Sequence, residues 1–188
     1  MVASDDWPDI EATLNGDGDA YARLIERYQA RIGARMWHFT RDRGHTEELV
    51  QDVFVAAYTS LPRFKGQAPF EHWLNRIATR VGYAYWRKRD RLNAQGTVNS
   101  SYDFVDTAAA PDAPNNGMTP QRAADLVHGQ LAQLPPRDRL VLTLMYLEGS
   151  SVKQTAAATG WSASMVKVQA FRARKKLKRL LEQEMPRD

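Results

Sequence analysis

The sequence predicts an all-α protein with two small helical domains joined by a flexible linker. Apolar residues recur at helical spacing through residues 9–92 and again after residue 119, and no alternating strand pattern competes with them. Residues 93–118 are rich in Ala, Asn, Pro, Gly and Ser and have no periodic apolar face. The net charge changes at the same boundaries, from +1 to −3 and then to +6. We therefore expect domains at 1–92 and 119–188 and an acidic linker at 93–118.

Composition limits the class of protein. The 188 residues include no cysteine, which excludes disulfides and thiolate metal sites. The acidic N-terminal stretch lacks the apolar segment of a signal peptide, and no apolar run reaches the length of a membrane span. We expect a cytoplasmic protein without membrane contact. The net charge of +4 and a pI near 9.4 are compatible with nucleic-acid binding.

Two helices are predicted in the first half of the N-terminal domain. The first runs from residue 20 to about residue 40, with Asp19 as its N-cap. The second follows Gly44 and His45, with Thr46 as its N-cap. Its two sides differ in polarity. The apolar side holds Leu49, Val53, Ala56 and Ala57, and the polar side holds Glu48, Gln51, Asp52, Val55 and Thr59. The polar side is either a solvated surface or an acidic docking surface for a basic partner.

The loop at 61–69 contains two prolines and a glycine, and a third helix is predicted from residue 70 to about residue 89. We expect the loop to expose Phe64 beside Arg63 and Lys65, which suits stacking on an unpaired base next to phosphates. The helix interleaves aromatic residues, among them Trp73 and Trp86, with arginines. This pattern fits single-stranded nucleic acid, and a packed helix with an exposed basic end explains it equally well.

Four helices are predicted in the C-terminal domain, at about 120–134, 136–147, 152–159 and 163–184. Gly160 ends the third helix and Ser162 caps the fourth, which makes a helix-turn-helix. The last helix has two different sides. Its apolar side holds Val166, Ala170, Ala173, Leu177, Leu180 and Leu181, and its basic side holds Lys167, Val168, Phe171, Arg172, Lys175, Lys178 and Arg179. The basic side predicts entry into a DNA major groove; a solvated basic face and a partner-binding helix are the alternatives.

Two segments together resemble a known family. HTEELVQDVFVAAYTSLPRFKGQAPFEHWLNRIA resembles region two of extracytoplasmic-function (group 4) RNA polymerase sigma factors of the sigma-70 family, and LPPRDRLVLTLMYLEGSSVKQTAAATGWSASMVKVQAFRARKKL resembles their region four. The order of the segments, the linker length and the total length are similar to those of this family. The resemblance covers nearly the whole chain.

The resemblance implies a transcription initiation factor without catalytic activity of its own. It implies binding to core RNA polymerase, at the coiled coil of the largest subunit and at the flap, and to promoter DNA. By position, it assigns core docking to Glu48, Leu49, Gln51, Asp52 and Phe54, and the −10 element to Phe64, Lys65, Gly66, Gln67, Ala68, Arg76 and Arg80. It assigns the −35 element to Lys167, Val168, Phe171, Arg172 and Lys175.

The resemblance also implies an anti-sigma factor as a partner, because many family members are inhibited by one. Some positions depart from the common family pattern. They include His45 before the docking helix, Arg80 and Ala84 in the third helix, Lys153 in the helix-turn-helix, and the pair Val168-Gln169. These departures leave the promoter sequence undetermined, above all at −35.

Three other functions compete with this interpretation. A helix-turn-helix regulator acting without polymerase would not need the polar side at Glu48–Phe54 or the aromatic loop. An adaptor that binds only proteins leaves the basic side of the last helix unexplained. An enzyme would need a phosphate loop, a metal cluster or a nucleophile arrangement, and we find none. The four histidines have no metal-ligand spacing, so no cofactor or metal site is predicted.

Overall fold

The computed structural model describes residues 5–95 and 120–184. All regular structure in these residues is helical, which confirms the predicted all-α class. The helices are α1 (Trp7–Leu14), α2 (Gly18–Thr40), α3 (Arg43–Ser60), α4 (Phe70–Ala94), α5 (Pro120–Ala132), α6 (Pro136–Leu142), α7 (Val152–Thr159) and α8 (Ala163–Glu184). A 3₁₀ turn, Leu61–Arg63, follows α3, and a π-helical turn, Thr143–Leu147, follows α6. None of the described helices is long and apolar enough to cross a membrane.

The chain divides into two compact units, and the main division falls between Lys88 and Arg89. Most of the predicted linker lies outside the described residues. The domain limits at residues 92 and 119 therefore stay a prediction.

Two predicted N-caps are wrong, and both errors have the same cause. Asp17, not Asp19, caps α2, because its carboxylate accepts hydrogen bonds from Asp19 N at 2.9 Å and Ala20 N at 3.2 Å. Asp42, not Thr46, caps α3, because its carboxylate accepts from His45 N at 2.7 Å. Thr46 lies inside α3 and donates its hydroxyl to Asp42 O at 2.6 Å. In each case an earlier Asp in extended backbone satisfies the free N–H groups of the first turn.

The helix α1 was not predicted, whereas the helix limits from α4 onward follow the prediction closely. The limits of α7 and α8 are confirmed, and α5 ends at Ala132, slightly before the predicted end. The helix α4 continues to Ala94, past the predicted end at residue 89. The predicted helix at 136–147 is divided into α6 and the π-helical turn, in which Glu148 N donates to Thr143 O at 3.0 Å.

The core of the N-terminal unit is built on one face of α2. Its buried side chains recur at helical spacing, which places them on one side of the helix. They are Ala20, Leu24, Tyr28, Ile32, Met36 and Phe39. The helices α1, α3 and α4 contribute Ile10, Leu49, Val53, Ala57, Phe70, Leu74, Ala78 and Trp86 to the same buried set.

The helices α2 and α4 approach closely at Phe39. The Phe39 and Trp86 rings lie 4.4 Å apart between centroids, and Trp86 Nε1 donates to Phe39 O at 2.7 Å. Gly82 permits this approach, because a Cβ at that position would overlap the Phe39 ring. The crossing fixes which side of α4 is buried.

The C-terminal unit has a core of its own. The helix α8 contributes Val166, Ala170 and Ala173, as its predicted apolar side requires. These side chains pack with buried residues of α5, α6 and the segment between them, which are Leu131, Leu134, Val141 and Leu142. The apolar side of the last helix is thus confirmed as a packing surface, and the opposite side is left to solvent.

We predict that Gly82→Ala lowers the free energy of unfolding of the N-terminal unit by roughly 1–3 kcal/mol. The added methyl group must displace the buried Phe39 ring, and overpacking a dense core typically costs that much. Denaturation in urea, followed by tryptophan fluorescence, measures the change. Four of the five tryptophans precede residue 96, so the signal reports mainly on this unit.

Gly33→Ala is the matched control for Gly82→Ala. Gly33 lies within α2 and has no atom within 4 Å of the position of an added Cβ. The same substitution should stabilise the protein there by about 0.5–1 kcal/mol, because alanine favours a helix interior over glycine. Equal effects of the two substitutions would contradict the close approach at Phe39.

Candidate functional site

One exposed surface lies on α3. We call it the α3 face and define it as Glu48, Gln51, Asp52, Val55 and Tyr58, which are all exposed and recur at helical spacing. Val55 and Tyr58 are 66% and 55% exposed, so the face also offers apolar and aromatic area. The face therefore combines two carboxylates with an apolar centre.

Two predicted docking residues lie beneath the α3 face rather than on it. Leu49 and Phe54 are only 5% and 6% exposed. Tyr21 of α2 donates its hydroxyl to Phe54 O at 2.5 Å, and its ring packs edge-on against Tyr58 with centroids 4.9 Å apart. Burial raises the pKa of Tyr21 to about 12, so the phenol stays protonated and keeps this hydrogen bond at neutral pH. Leu49 and Phe54 support the face from below.

The loop between the 3₁₀ turn and α4 presents a short polar edge. Lys65, Gln67 and Ala68 are exposed, whereas Gly66 is buried. Gly66 has a φ of 62°, a left-handed conformation that glycine adopts without strain. The loop thus bends at Gly66, and Lys65, Gln67 and Ala68 stay accessible.

The prediction of an exposed Phe64 is wrong. Its ring is half-buried and lies among Trp7, Phe70 and Trp73, with centroid distances of 6.4, 5.7 and 5.1 Å. These distances are typical of packed aromatic pairs. Phe64 anchors the loop to α1 and α4. The sequence carried no signal of this packing, because Trp7 is remote along the chain.

A basic stripe runs along α4. It consists of Arg76, Arg80 and Arg87, which are exposed and lie on one side at spacings of four and seven residues. The Arg87 guanidinium lies 5.9 Å from the centroid of the Tyr83 ring. Trp86, which the sequence grouped with the nucleic-acid aromatics, is 2% exposed and belongs to the core. One side of α4 is therefore packed in the core and another side exposes cations, and binding of single-stranded nucleic acid by this helix stays a prediction.

A second basic surface lies on α8. We call it the α8 face, and its members are all exposed: Lys167, Val168, Phe171, Arg172, Lys175, Lys178 and Arg179. Phe171 is 63% exposed and Val168 50% exposed, so apolar contact area lies among the cations. Ser162 caps the helix as predicted, since its hydroxyl accepts from Met165 N at 3.1 Å. Gly160, with a φ of 76°, forms the turn that precedes it.

A buried carboxylate joins α6 to α8, and the sequence analysis did not identify it. Asp138 is 1% exposed, and its two oxygens accept hydrogen bonds from Gln169 Nε2 and Lys176 Nζ, both on α8. Gln169 adjoins Val168 of the α8 face. The contact therefore fixes the rotation of α8 about its axis, and with it the direction of the basic side chains. An Asp two residues after a helix-starting proline is typical of a charge in the first turn of a helix, so no local pattern indicates this contact with α8.

Within residues 5–95 and 120–184, no three His, Asp or Glu side chains converge in a way that would hold a metal ion. The surfaces described above offer charge and contact area.

Two family models match the chain. The model of sigma-70 region 2 matches residues 24–92, and that of sigma-70, region 4 matches residues 124–177. Together they cover well over half of the chain, in the order that sigma factors have. The chain belongs to the sigma-70 family. The sigma factors of this family are transcription initiation factors rather than enzymes.

Curated relatives agree over nearly the full length. This sigma factor is 29% identical to the RNA polymerase sigma-H factor of Pseudomonas aeruginosa over 177 residues, which is 92% of each chain. It is 28% identical to the ECF RNA polymerase sigma-E factor of Escherichia coli K12 over 169 residues, which is 88% of each chain. These matches favour an extracytoplasmic-function sigma factor over a regulator that acts without polymerase, because they include the region-2 half.

Two solved structures share the fold. One is CnrH in complex with the cytosolic domain of CnrY, with a TM-score of 0.60, 24% identity and coverage of 96% of this chain and 99% of that one. The other is the sigma factor RpoE in complex with the anti-sigma factor NepR from Bartonella quintana. Its TM-score is 0.59 at 22% identity, with 88% of this chain and 98% of that one covered. At these identities the likeness establishes the fold alone.

We predict that Asp138→Ala lowers the local stability of α6 and α8 by roughly 1–3 kcal/mol, because two hydrogen bonds from α8 to a buried carboxylate are lost. Native-state amide hydrogen exchange of peptides from both helices measures this directly. Glu182→Ala is the control: it removes an exposed carboxylate 3.7 Å from Lys178 and should change stability by less than about 0.5 kcal/mol. Unchanged exchange in the Asp138 variant would show that this contact does not hold α8.

Proposed function

We propose that this sigma factor docks on core RNA polymerase through the α3 face and engages promoter DNA through the loop, the α4 stripe and the α8 face. One observation carries the proposal: the chain exposes an acidic and apolar surface on α3 and a basic surface on α8. A protein that only binds DNA needs the second surface alone. A factor that directs polymerase to a promoter needs both.

The α3 face has the composition of a protein interface. Val55 and Tyr58 provide exposed apolar and aromatic area at its centre, and Glu48 and Asp52 provide negative charge beside it. Interfaces typically have such an apolar core within a polar rim. We propose that the coiled coil of the largest polymerase subunit packs on Val55 and Tyr58, with its basic residues against the carboxylates. Leu49 and Phe54 keep the face in place from below.

We propose that the −10 element is bound as a single strand by the loop and the α4 stripe. Extracting a base from the stack costs a few kcal/mol, which contacts to the extracted base and backbone must offset. Lys65, Gln67 and Ala68 are exposed around the left-handed Gly66, and we propose that the extracted base binds against this loop edge. Arg76 and Arg80 lie on the exposed side of α4 and supply charge to the phosphates.

We propose that the −35 element is bound as duplex by the α8 face. In a helix-turn-helix the N-terminal residues of the second helix reach base edges in the major groove. Lys167, Val168 and Phe171 occupy that part of α8, and the two apolar side chains suit contact with thymine methyl groups. Arg172 and Lys175 extend the basic surface toward the phosphates.

An anti-sigma factor completes the proposal. Two structural neighbours were solved with partners, and one of these partners is described as the anti-sigma factor NepR. We propose that an anti-sigma factor covers the α3 face of this chain and so competes with polymerase. The protein then acts in the bacterial cytoplasm, where polymerase and promoter DNA are found.

We predict that Asp52→Arg weakens binding to core polymerase by at least about tenfold, because it places a cation where a basic partner must dock. Fluorescence anisotropy of the labelled protein, titrated with core polymerase, gives the affinity. Asp52 is exposed, so the variant should fold normally. Glu26→Arg, at an exposed carboxylate of α2, is the charge-matched control and should bind as the parent protein does. Equal affinities of both variants would remove the α3 face from the docking surface.

We predict that Lys167→Ala with Arg172→Ala weakens binding to a duplex −35 element by roughly thirtyfold or more and leaves polymerase affinity unchanged. Each side-chain contact of this kind contributes about 1–3 kcal/mol to DNA affinity. The parent protein's affinity should fall steeply with salt, because cations on α8 displace phosphate counterions. An affinity that does not change with salt would contradict duplex binding through the α8 face.

The control for this double variant removes the same charge from elsewhere. Arg43→Ala with Arg137→Ala takes two exposed cations from α3 and α6. Its affinity for the duplex should stay within about threefold of the parent, because charges away from the interface act on DNA only through screened long-range attraction. If both double variants weaken binding equally, total charge rather than the α8 face determines the affinity.

A further inference from the structure

The short helix α1 is held to α2 by two buried carboxylates. Asp6 and Asp9 are only 5% and 8% exposed. Asp6 accepts hydrogen bonds from Arg27 Nη1 at 2.6 Å and from the Tyr28 hydroxyl at 2.7 Å. Asp9 accepts from Arg27 Nη2 at 2.9 Å and from Arg23 Nε at 2.8 Å. The hydrogen bond from Arg23 keeps the pKa of Asp9 below its usual value, so the carboxylate stays charged at neutral pH.

These polar contacts are more than α1 needs in order to pack on α2. Ile10, fully buried, already gives α1 an apolar anchor. Buried carboxylates are costly to desolvate and are weak stabilisers of a fold, but they fix one geometry, because only one arrangement satisfies them all. The contacts therefore fix the position and rotation of α1 on α2.

The same helix holds the loop through Trp7. The Trp7 ring lies 6.4 Å from Phe64, and Phe64 lies 5.7 Å from Phe70. Phe70 in turn lies 5.6 Å from Tyr28, whose hydroxyl binds Asp6 next to Trp7. The contacts form a closed circuit from α1 through the loop and the start of α4 to α2 and back to α1.

We infer that α1 is a positioning element for the loop at residues 64–68, and that Trp7 is its positioning residue. The Asp6 and Asp9 contacts fix Trp7, and Trp7 completes the packing of Phe70 and Trp73 around Phe64. Phe64 in turn fixes the backbone that presents Lys65, Gln67 and Ala68. This inference rests on the proposed binding of the −10 element by that loop. Trp7 itself need not touch DNA.

The physical reason is the conformational entropy that the loop loses when it binds DNA. Three residues of this loop are exposed, and ordering exposed loop residues when a base binds costs conformational entropy. A loop already held in its bound shape avoids that cost and binds more tightly with the same contacts. Loss of Trp7 should therefore weaken binding of the single strand without removing a contact to it.

The test compares Trp7→Ala, Trp7→Phe and Met36→Ala in the full chain. Met36 is fully buried on α2, about 12 Å along the helix axis from Tyr28 at 1.5 Å per residue, so Met36→Ala destabilises the unit without touching the circuit. The first measurement is deuterium uptake of the peptide containing residues 64–69. We expect deuterium uptake to be about tenfold faster in Trp7→Ala, because one packed aromatic contact is lost. In Trp7→Phe and Met36→Ala we expect uptake close to the parent rate.

The second measurement is affinity for a fluorescein-labelled single strand. The probe is the non-template −10 segment of a promoter that the protein and core polymerase transcribe together. We expect about tenfold weaker binding by Trp7→Ala, recovery by Trp7→Phe, and no change in Met36→Ala despite its lower stability. Uptake and affinity of Trp7→Ala that equal those of the parent would overturn the inference. It would also be overturned if Met36→Ala raised uptake and weakened binding as much as Trp7→Ala does, since loss of stability alone would then explain both effects.

Lys65→Ala separates this inference from the function on which it rests. The substitution removes an exposed cation from the loop edge and leaves Phe64 and Trp7 in place. If Lys65→Ala weakens binding of the single strand and Trp7→Ala does not, the loop binds DNA and α1 does not position it. If neither variant weakens binding, the loop does not bind the −10 element, and the positioning role fails with it.

Discussion

The close contact of α2 and α4 at Phe39 determines which side of α4 the N-terminal unit can offer a partner. Gly82 lets the two helices approach, and the Trp86 indole, bound to the Phe39 carbonyl, fixes their rotation. The opposite side of α4 then has to carry Arg76 and Arg80 into solvent, because burying an unpaired guanidinium would cost several kcal/mol. The basic stripe follows from the packing. Gly82 therefore affects both the packing of the core and the exposure of the surface that is proposed to bind the melted strand.

In the C-terminal unit, a polar contact fixes the rotation of the helix that carries the basic surface. Small and apolar side chains on α8 pack against α5 and α6, and small side chains alone permit some rotation of a helix. Asp138, bound to Gln169 and Lys176, permits one rotation only. The α8 face is therefore presented in a defined direction, which readout of base edges requires. Both units thus combine an apolar helix face with directional hydrogen bonds between helices.

Local signals in the sequence were sufficient where one residue decides a boundary. Gly160 and Ser162 placed α7 and α8 correctly, and helical spacing separated the two sides of α8. Local signals failed where two residues compete for the same role, as Asp42 and Thr46 do at the start of α3. They also failed where a partner is remote in sequence, as Trp7 is for Phe64 and α8 is for Asp138. Leu49 and Phe54 illustrate a further limit: a family motif groups the residues that form a surface with those that support it.

Transcription reconstituted from purified parts tests the central claim most directly. Core RNA polymerase is incubated with fragmented genomic DNA of a host bacterium, with and without the protein, and the 5′ ends of the RNA are mapped. The account predicts new start sites that depend on the protein and share sequence elements near −10 and −35. Their absence, with a protein whose far-UV circular dichroism shows it folded and whose preparation contains no inhibitor, would contradict the assignment as an initiation factor.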